Sequence, residues 1–196
     1  MGKQPLKPLL INFVGSPASG KTTVAASVFA DLKESGTIAE FISEEARKYI
    51  VQKKLKNLNA PTILNEVDQD CILIRQLDTE NGYCKVCSPE TVIVSDSSPL
   101  NTILYSSDIL NDASLMEAIK GWLLNDPLIF YCPLIDVNVD ANDLNRLHSS
   151  SELVALDGKC LEMLKALGVP YTTVEGSAQA RKLQVLRTVY QNTERP

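Results

Sequence analysis

The chain has 196 residues, 44% of them hydrophobic and 22% charged, which is ordinary globular composition and long enough for one domain with a sizeable core. A formal net charge of -5 argues against broad non-specific nucleic-acid binding, which depends on neutralising several phosphates at once. No apolar run approaches the roughly 20 residues that span a bilayer, and the first residues lack the apolar core of a secretory signal. The expectation is a single soluble, cytoplasmic domain over residues 1–196 that has no membrane partner.

Leu9 to Val14 is a short, nearly continuous apolar run, the pattern of a buried parallel strand. Thr22 to Ser35 carries Val24, Val28, Phe29 and Leu32 at helical spacing, with Gly36 as a stop. A second strand is expected over Thr37–Ser43, helices over Glu44–Lys56 and Ile63–Leu77, and a third strand over Thr91–Ser95. Two helical stretches follow, near Asn101–Leu110 and Ser114–Leu124, and then a fourth strand over Leu128–Cys132. Asp136 to Ser150 is polar and aperiodic until Ser149-Ser150-Ser151-Glu152 offers a capping box. The next helix has Leu153, Leu156, Cys160, Leu164 and Leu167 on one stripe; a short strand over Tyr171–Val174 and a helix over Ala178–Tyr190 close the chain. Such alternation implies a parallel sheet with helices on both faces.

Between the first strand and the first helix lies Gly15-Ser16-Pro17-Ala18-Ser19-Gly20-Lys21-Thr22, which fits G-x-x-x-x-G-K-S/T at every fixed position. Gly15 and Gly20 free the backbone to turn successive N–H groups toward an anion, and the helix N-terminus adds partial positive charge. Lys21 would reach the β and γ phosphates of ATP, and the Thr22 hydroxyl would ligate Mg²⁺. The loop and the adjoining Thr23 are the nucleotide-binding candidates. The acidic partner for the metal is Asp96, at the end of the third strand, although Asp96 could instead cap the helix that follows.

A guanine-selecting N-K-x-D sequence is absent, which argues against a GTP switch, and motor ATPases tend to be larger and to assemble in rings. Small-molecule kinases instead set a base beside the acceptor hydroxyl and close an arginine-bearing lid. Residues 136–150 are the lid candidate. Arg146 is the sole permanent cation between Gly121 and Gly158; it either stabilises charge on the transferring group or pairs with Asp143 or Glu152 at the surface. Glu44, leaving the carboxyl end of the second strand, is the base candidate, with helix charge balancing as its alternative. Arg47, Lys48, Lys53, Lys54 and Lys56 form the densest positive cluster, either a solvated helix face or a surface that meets substrate phosphates.

The five cysteines (Cys71, Cys84, Cys87, Cys132, Cys160) suit reduced thiols better than a disulfide framework. Cys84 and Cys87 form a C-x-x-C pair that reads as a reduced loop rather than half a zinc site, since His148 is the single histidine.

The loop Gly15–Thr22, the piece Ser43-Glu44-x-Ala46-Arg47-x-Tyr49, and Asp96 followed by Thr102 and Tyr105 together resemble the kinase domain of NadR-type nicotinamide riboside kinases and the wider NadR-like group of P-loop ATPases. The likeness runs from about residue 9 to residue 190. It implies a P-loop kinase-like three-layer α/β/α fold with a five-stranded parallel sheet and a short lid. It also implies Glu44 and Arg47 at the acceptor site, Asp96 near the metal and the acceptor, and Arg146 in the lid. Val174-Glu175-Gly176 and Arg181 look like the family's last strand and adenine-side loop. The lid sequence Asp140-Ala141-Asn142-Asp143-Leu144-Asn145-Arg146 departs from the family's D-G-x-R-like form, and the accompanying nucleotidyltransferase domain is missing.

The activity expected is transfer of the ATP γ-phosphate to a hydroxyl on a nucleoside-like acceptor. The group is also similar to bacteriophage kinases acting on 5-hydroxymethyluracil in DNA, which leaves DNA open as the acceptor and a host cytoplasm as the compartment. A regulatory module that binds nucleotide without turnover, and the oligomeric state, stay open as well.

Overall fold

A computed structural model describes residues 7–59, 64–106, 108–135 and 149–193. Five strands, β1 (Leu9–Val14), β2 (Ala39–Ile42), β3 (Val92–Ser95), β4 (Leu128–Tyr131) and β5 (Thr172–Thr173), alternate with helices α1 (Lys21–Glu34), α2 (Glu45–Lys56), α3 (Glu66–Val86), α4 (Leu100–Ile103), α5 (Ala113–Leu123), α6 (Ser150–Ala166) and α7 (Ala178–Thr193). The sheet order is β2-β3-β1-β4-β5, and every pairing is parallel. Expected strands and structure thus coincide to within a residue or two; β1, β3 and β4 are buried on both faces and so read as short, largely apolar runs.

β1 is the centre. Leu10 and Val14 face a core with Leu73, Ile93, Trp122 and Leu164, while Ile11 and Phe13 face Val24, Val28, Phe130 and Val189 across the sheet. The period-2 alternation of a strand sends successive side chains to opposite faces. One layer of helices therefore covers each face, α1 and α7 on one side and α3, α5 and α6 on the other. The strand order changes direction between β1 and β4, so the carboxyl ends of β1, β3 and β4 open onto the crevice where ligands bind in such sheets.

Local signals ended several helices as expected. Gly36, at φ 80°, closes α1, with the Gly36 and Thr37 amides donating back to Lys33 and Leu32 in a Schellman motif. Ser149 and Glu152 form the capping box that starts α6.

Three expectations need correction. The helix expected to stop at Leu77 runs to Val86: Leu77, Glu80 and Tyr83 stay buried or half-buried against α5 and the sheet, and tertiary packing overrides the weak breaking tendency of Gly82. Its start is set by a capping box between Asn65 and Asp68. Cys84 consequently sits inside α3 and Cys87 at its C-cap, not in a loop; both are free thiols. The helix expected over Asn101–Leu110 is a single turn, Leu100–Ile103, because Leu104 and Tyr105 donate to carbonyls three residues back and tighten the chain out of α-helical geometry. Residues 136–148, including Arg146, Asp143 and His148, lie outside the described residues.

Candidate active site

The loop after β1 is tightly folded. Gly15 (φ 153°), Ala18 (φ 62°) and Gly20 (φ 84°) all have positive φ, the handedness that bends successive peptide N–H groups into an anion-binding concavity. A Cβ on Gly15 would drive into the carbonyl oxygen of Cys132 and come within 2.9 Å of Ser19 Oγ, so glycine is required there by contact as well as by conformation. Ala18 tolerates its left-handed backbone at a cost of about 1 kcal/mol. Pro17 is half-buried, Ser16 and Ser19 are buried, and Thr23 is exposed on the first turn of α1.

Lys21 Nζ folds back across the loop and donates to the carbonyls of Gly15 at 2.9 Å and Ser16 at 2.7 Å. Burial pushes the lysine below its ordinary value, while the charges of Glu44 and Asp96 oppose that shift. The ammonium is therefore poised at the loop's mouth between two carboxylates.

Thr22 Oγ1 donates to Asp96 Oδ2 at 3.1 Å. The helix-capping alternative for Asp96 does not hold, since the Leu100 amide bonds Ser98 Oγ instead. Asp96 Oδ1 is buried and has no hydrogen-bond partner among the described residues. An orphaned, buried carboxylate oxygen beside a threonine whose proton points away from its lone pairs is a donor set for a hard cation such as Mg²⁺, and the residues present fit that ion.

Glu44 is the N-cap of α2 and makes no capping hydrogen bond there, so its carboxylate is not spent on the helix end. Burial raises it above the usual carboxylate range, with Asp96 adding to the shift and Lys21 and Arg47 opposing it. Arg47 lies 3.9 Å away with its side chain 73% exposed, a contact weakened by solvent. Beside Glu44 opens a cavity of about 30 Å³ between α2, α3 and the β3–α4 turn, with Gln69, Gln76, Thr102 and Tyr105 in its wall. Lys21, Thr22, Asp96 and Glu44 thus converge at the carboxyl end of the sheet.

Arg181, which the resemblance sets beside the adenine-side loop, is buried. The residue is 3% exposed, and its guanidinium donates to the carbonyls of Gly176 at 3.1 Å, Ser19 at 2.7 Å and Pro133 at 3.1 Å. The planar fork braces the phosphate loop against β4 and α7 from beneath.

Two further supports escaped the sequence. Asn101 accepts the Gly15 amide at 3.1 Å and donates to Phe13 O at 3.1 Å and Ser97 Oγ at 2.9 Å, pinning the loop's first residue. Asp157 accepts Ser16 Oγ at 3.3 Å and the Tyr131 hydroxyl at 2.8 Å, tying α6 to the loop. Neither belongs to a motif. No nearby residue in the sequence marks either of them.

Among solved structures, deoxyadenosine kinase from M. mycoides with products dCMP and a flexible dCDP bound is 14% identical, with 93% of this chain and 100% of that one covered at a TM-score of 0.60. APS kinase CysC of Mycobacterium tuberculosis is 14% identical, with 95% and 99% covered at 0.48. No curated protein matches the chain. At such identities the likeness to the deoxyadenosine kinase shows the fold, a P-loop kinase-like α/β architecture. The family model described as an AAA domain matches residues 10–181, and the chain belongs to that family.

Proposed function

We propose that the protein is an ATP-dependent kinase that transfers the γ-phosphate to a hydroxyl of an unphosphorylated, nucleoside-like acceptor, of nicotinamide riboside or deoxynucleoside type, in the manner of the NadR-type kinases. The observation that carries the reading is the convergence of Lys21, the Thr22–Asp96 pair and the uncommitted carboxylate of Glu44 around one crevice. The loop amides and Lys21 hold the triphosphate. Thr22 and Asp96 hold Mg²⁺, which when bound would neutralise charge on the phosphate oxygens. Glu44 accepts the acceptor hydroxyl's proton, and Arg47 supplies positive charge at the rim; Arg146, outside the described residues, is assigned to the lid on sequence grounds alone.

The cavity chemistry supports an acceptor that carries no phosphate. Among the described residues that line it, the charged ones are Glu44 and Glu45, and the rest are amides, hydroxyls and apolar groups. An acceptor already carrying a phosphate would need cations in that wall. The deoxyadenosine kinase whose fold this chain shares takes a nucleoside, in agreement with that reading.

DNA as the acceptor gains less support, because the basic cluster on α2 is partly neutralised. Lys48 pairs with Glu45 at 2.6 Å, Lys53 with Asp68 at 2.5 Å, and Arg47 faces Glu44. The deciding experiment offers radiolabelled ATP and Mg²⁺ with nicotinamide riboside, deoxynucleosides, and plain or hydroxymethylated DNA. Label on a free nucleoside is the expected result. Label on DNA alone, reduced by neutralising Lys53, Lys54 and Lys56, would move the assignment to a DNA kinase; ATP binding without transfer to any acceptor would leave a regulatory module.

A further inference from the structure

Glu80, in α3, has no exposed surface. Its two oxygens take four donors from four elements: Asn12 Nδ2 of β1 at 3.0 Å and Trp122 Nε1 of α5 at 2.8 Å on Oε2, then Gln76 Nε2 of α3 at 2.7 Å and Ser95 Oγ of β3 at 2.6 Å on Oε1. Burial raises Glu80 above the usual carboxylate range while these four hydrogen bonds oppose the shift; because Ser95 Oγ can turn its own proton to Ser97 O at 3.1 Å, the other three donors are accepted whether the group is ionised or neutral.

That arrangement dictates how the next side chain sits. Glu80 Oε1 presents a lone pair to Gln76 in either state, so the Gln76 amide turns its NH2 toward Glu80, where it also reaches Ser95 Oγ at 3.1 Å. Gln76 Oε1 is then left facing the other way, and it accepts the backbone N–H of Glu45 at 3.2 Å. Glu45 is the first residue of α2 and is 8% exposed. Its N–H has no acceptor within the helix, so without Gln76 it would be a buried orphan. The peptide unit that contains this N–H is the one that follows Glu44.

We propose that Glu80 and Gln76 are positioning residues for Glu44: the buried carboxyl group fixes the orientation of the Gln76 amide, and that amide clamps the Glu44–Glu45 peptide so that the Glu44 carboxylate stays turned toward Lys21. The catalytic purpose of the clamp rests on the reading of Glu44 given above. The clamp itself is a property of the folded chain with no nucleotide present.

The test is a carboxyl–amide swap within α3. In E80Q one accepting oxygen becomes an NH2; Trp122 cannot reverse its N–H, so the new amide keeps its oxygen there and presents NH2 to Gln76. Gln76 must flip, and two N–H groups then oppose each other at Glu45. In Q76E/E80Q the carboxyl group moves up one turn, where it accepts both the Glu45 amide and the NH2 of residue 80. We expect hydrogen exchange at the Glu45 amide to be about tenfold faster in E80Q, acceptor-dependent kcat to fall by about the same factor with ATP affinity within about threefold, and both to recover in the swap.

Unchanged exchange at Glu45 in E80Q overturns the proposal, as does a swap that melts like the wild type yet exchanges as fast as E80Q. If E80Q does not fold, Q76M reads the same link, with fast Glu45 exchange expected and wild-type protection overturning it. Wild-type turnover with an insensitive Glu45 amide would sink this inference alone. A responsive amide in a wild-type chain that turns over no acceptor would sink the kinase reading instead.

Discussion

The loop after β1 and the wall of the cavity proposed for the acceptor meet at the carboxyl end of the sheet, yet they are built in different ways. The loop is a contiguous run, Gly15–Thr22, whose shape comes from three positive φ values and a helix start. The wall is assembled from α2, α3 and the β3–α4 turn, and its alignment depends on side chains bonded across long stretches of chain. The loop takes its turns from local sterics and is only braced from afar, by Asn101 and Arg181; the wall has no shape of its own until its distant parts meet.

Substitutions can break that comparison. The largest effect is expected from Lys21→Ala, which removes the cation from the loop: transfer should fall by about a thousandfold, ATP affinity should weaken, and the melting temperature should hold, as read by a radiolabel assay with a thermal melt. Retained turnover would contradict the role. Glu44→Gln strikes the wall instead and should lower kcat by about a hundredfold or more while leaving ATP affinity near wild type. Because burial raises Glu44 and the base must be ionised to work, the wild-type rate should climb with pH on an acid limb lying above the ordinary carboxylate range, and that limb should vanish in Glu44→Gln. A pH–rate profile without such a limb would remove Glu44 from the chemistry.

Smaller effects sharpen the contrast. Arg181→Met strips three backbone carbonyls of a charged donor, so a loss of about 3 kcal/mol in unfolding free energy is expected, together with looser ATP binding; a wild-type melt would show that the loop stands without its brace. Arg47→Ala should act least. Arg47 holds Glu44 down, so its loss should move the acid limb upward in pH, by a modest amount because the arginine is mostly exposed. A downward move would reverse the assigned electrostatics.

Much of the nucleotide half was legible in the residues. The apolar run of β1, the glycines and lysine of the loop, the stop at Gly36 and the capping box at Ser149 each act within a few positions, and each appears where the spacing placed it. Asp96 was legible as an acid at the end of a strand; its bond to Thr22 followed once β3 lay beside β1. The brace at Arg181, 162 residues from the carbonyl of Ser19, and the pin at Asn101, 86 residues from Gly15, had no local mark. Helix α3 misled for a related reason: burial against α5 carried it past Gly82, where propensity alone favours an end.

The sequence by itself determined an alternating β/α chain, a phosphate-binding turn between its first strand and helix, and the residue types able to handle a triphosphate. Those features follow from sterics and periodicity acting over one or two turns of chain. The tertiary structure decided the strand order β2-β3-β1-β4-β5, which side chains brace the loop, and how the buried carboxyl group of Glu80 is linked through Gln76 to α2. A buried polar atom takes whichever partner the packing of distant elements delivers, and that choice is not written in any short stretch of residues.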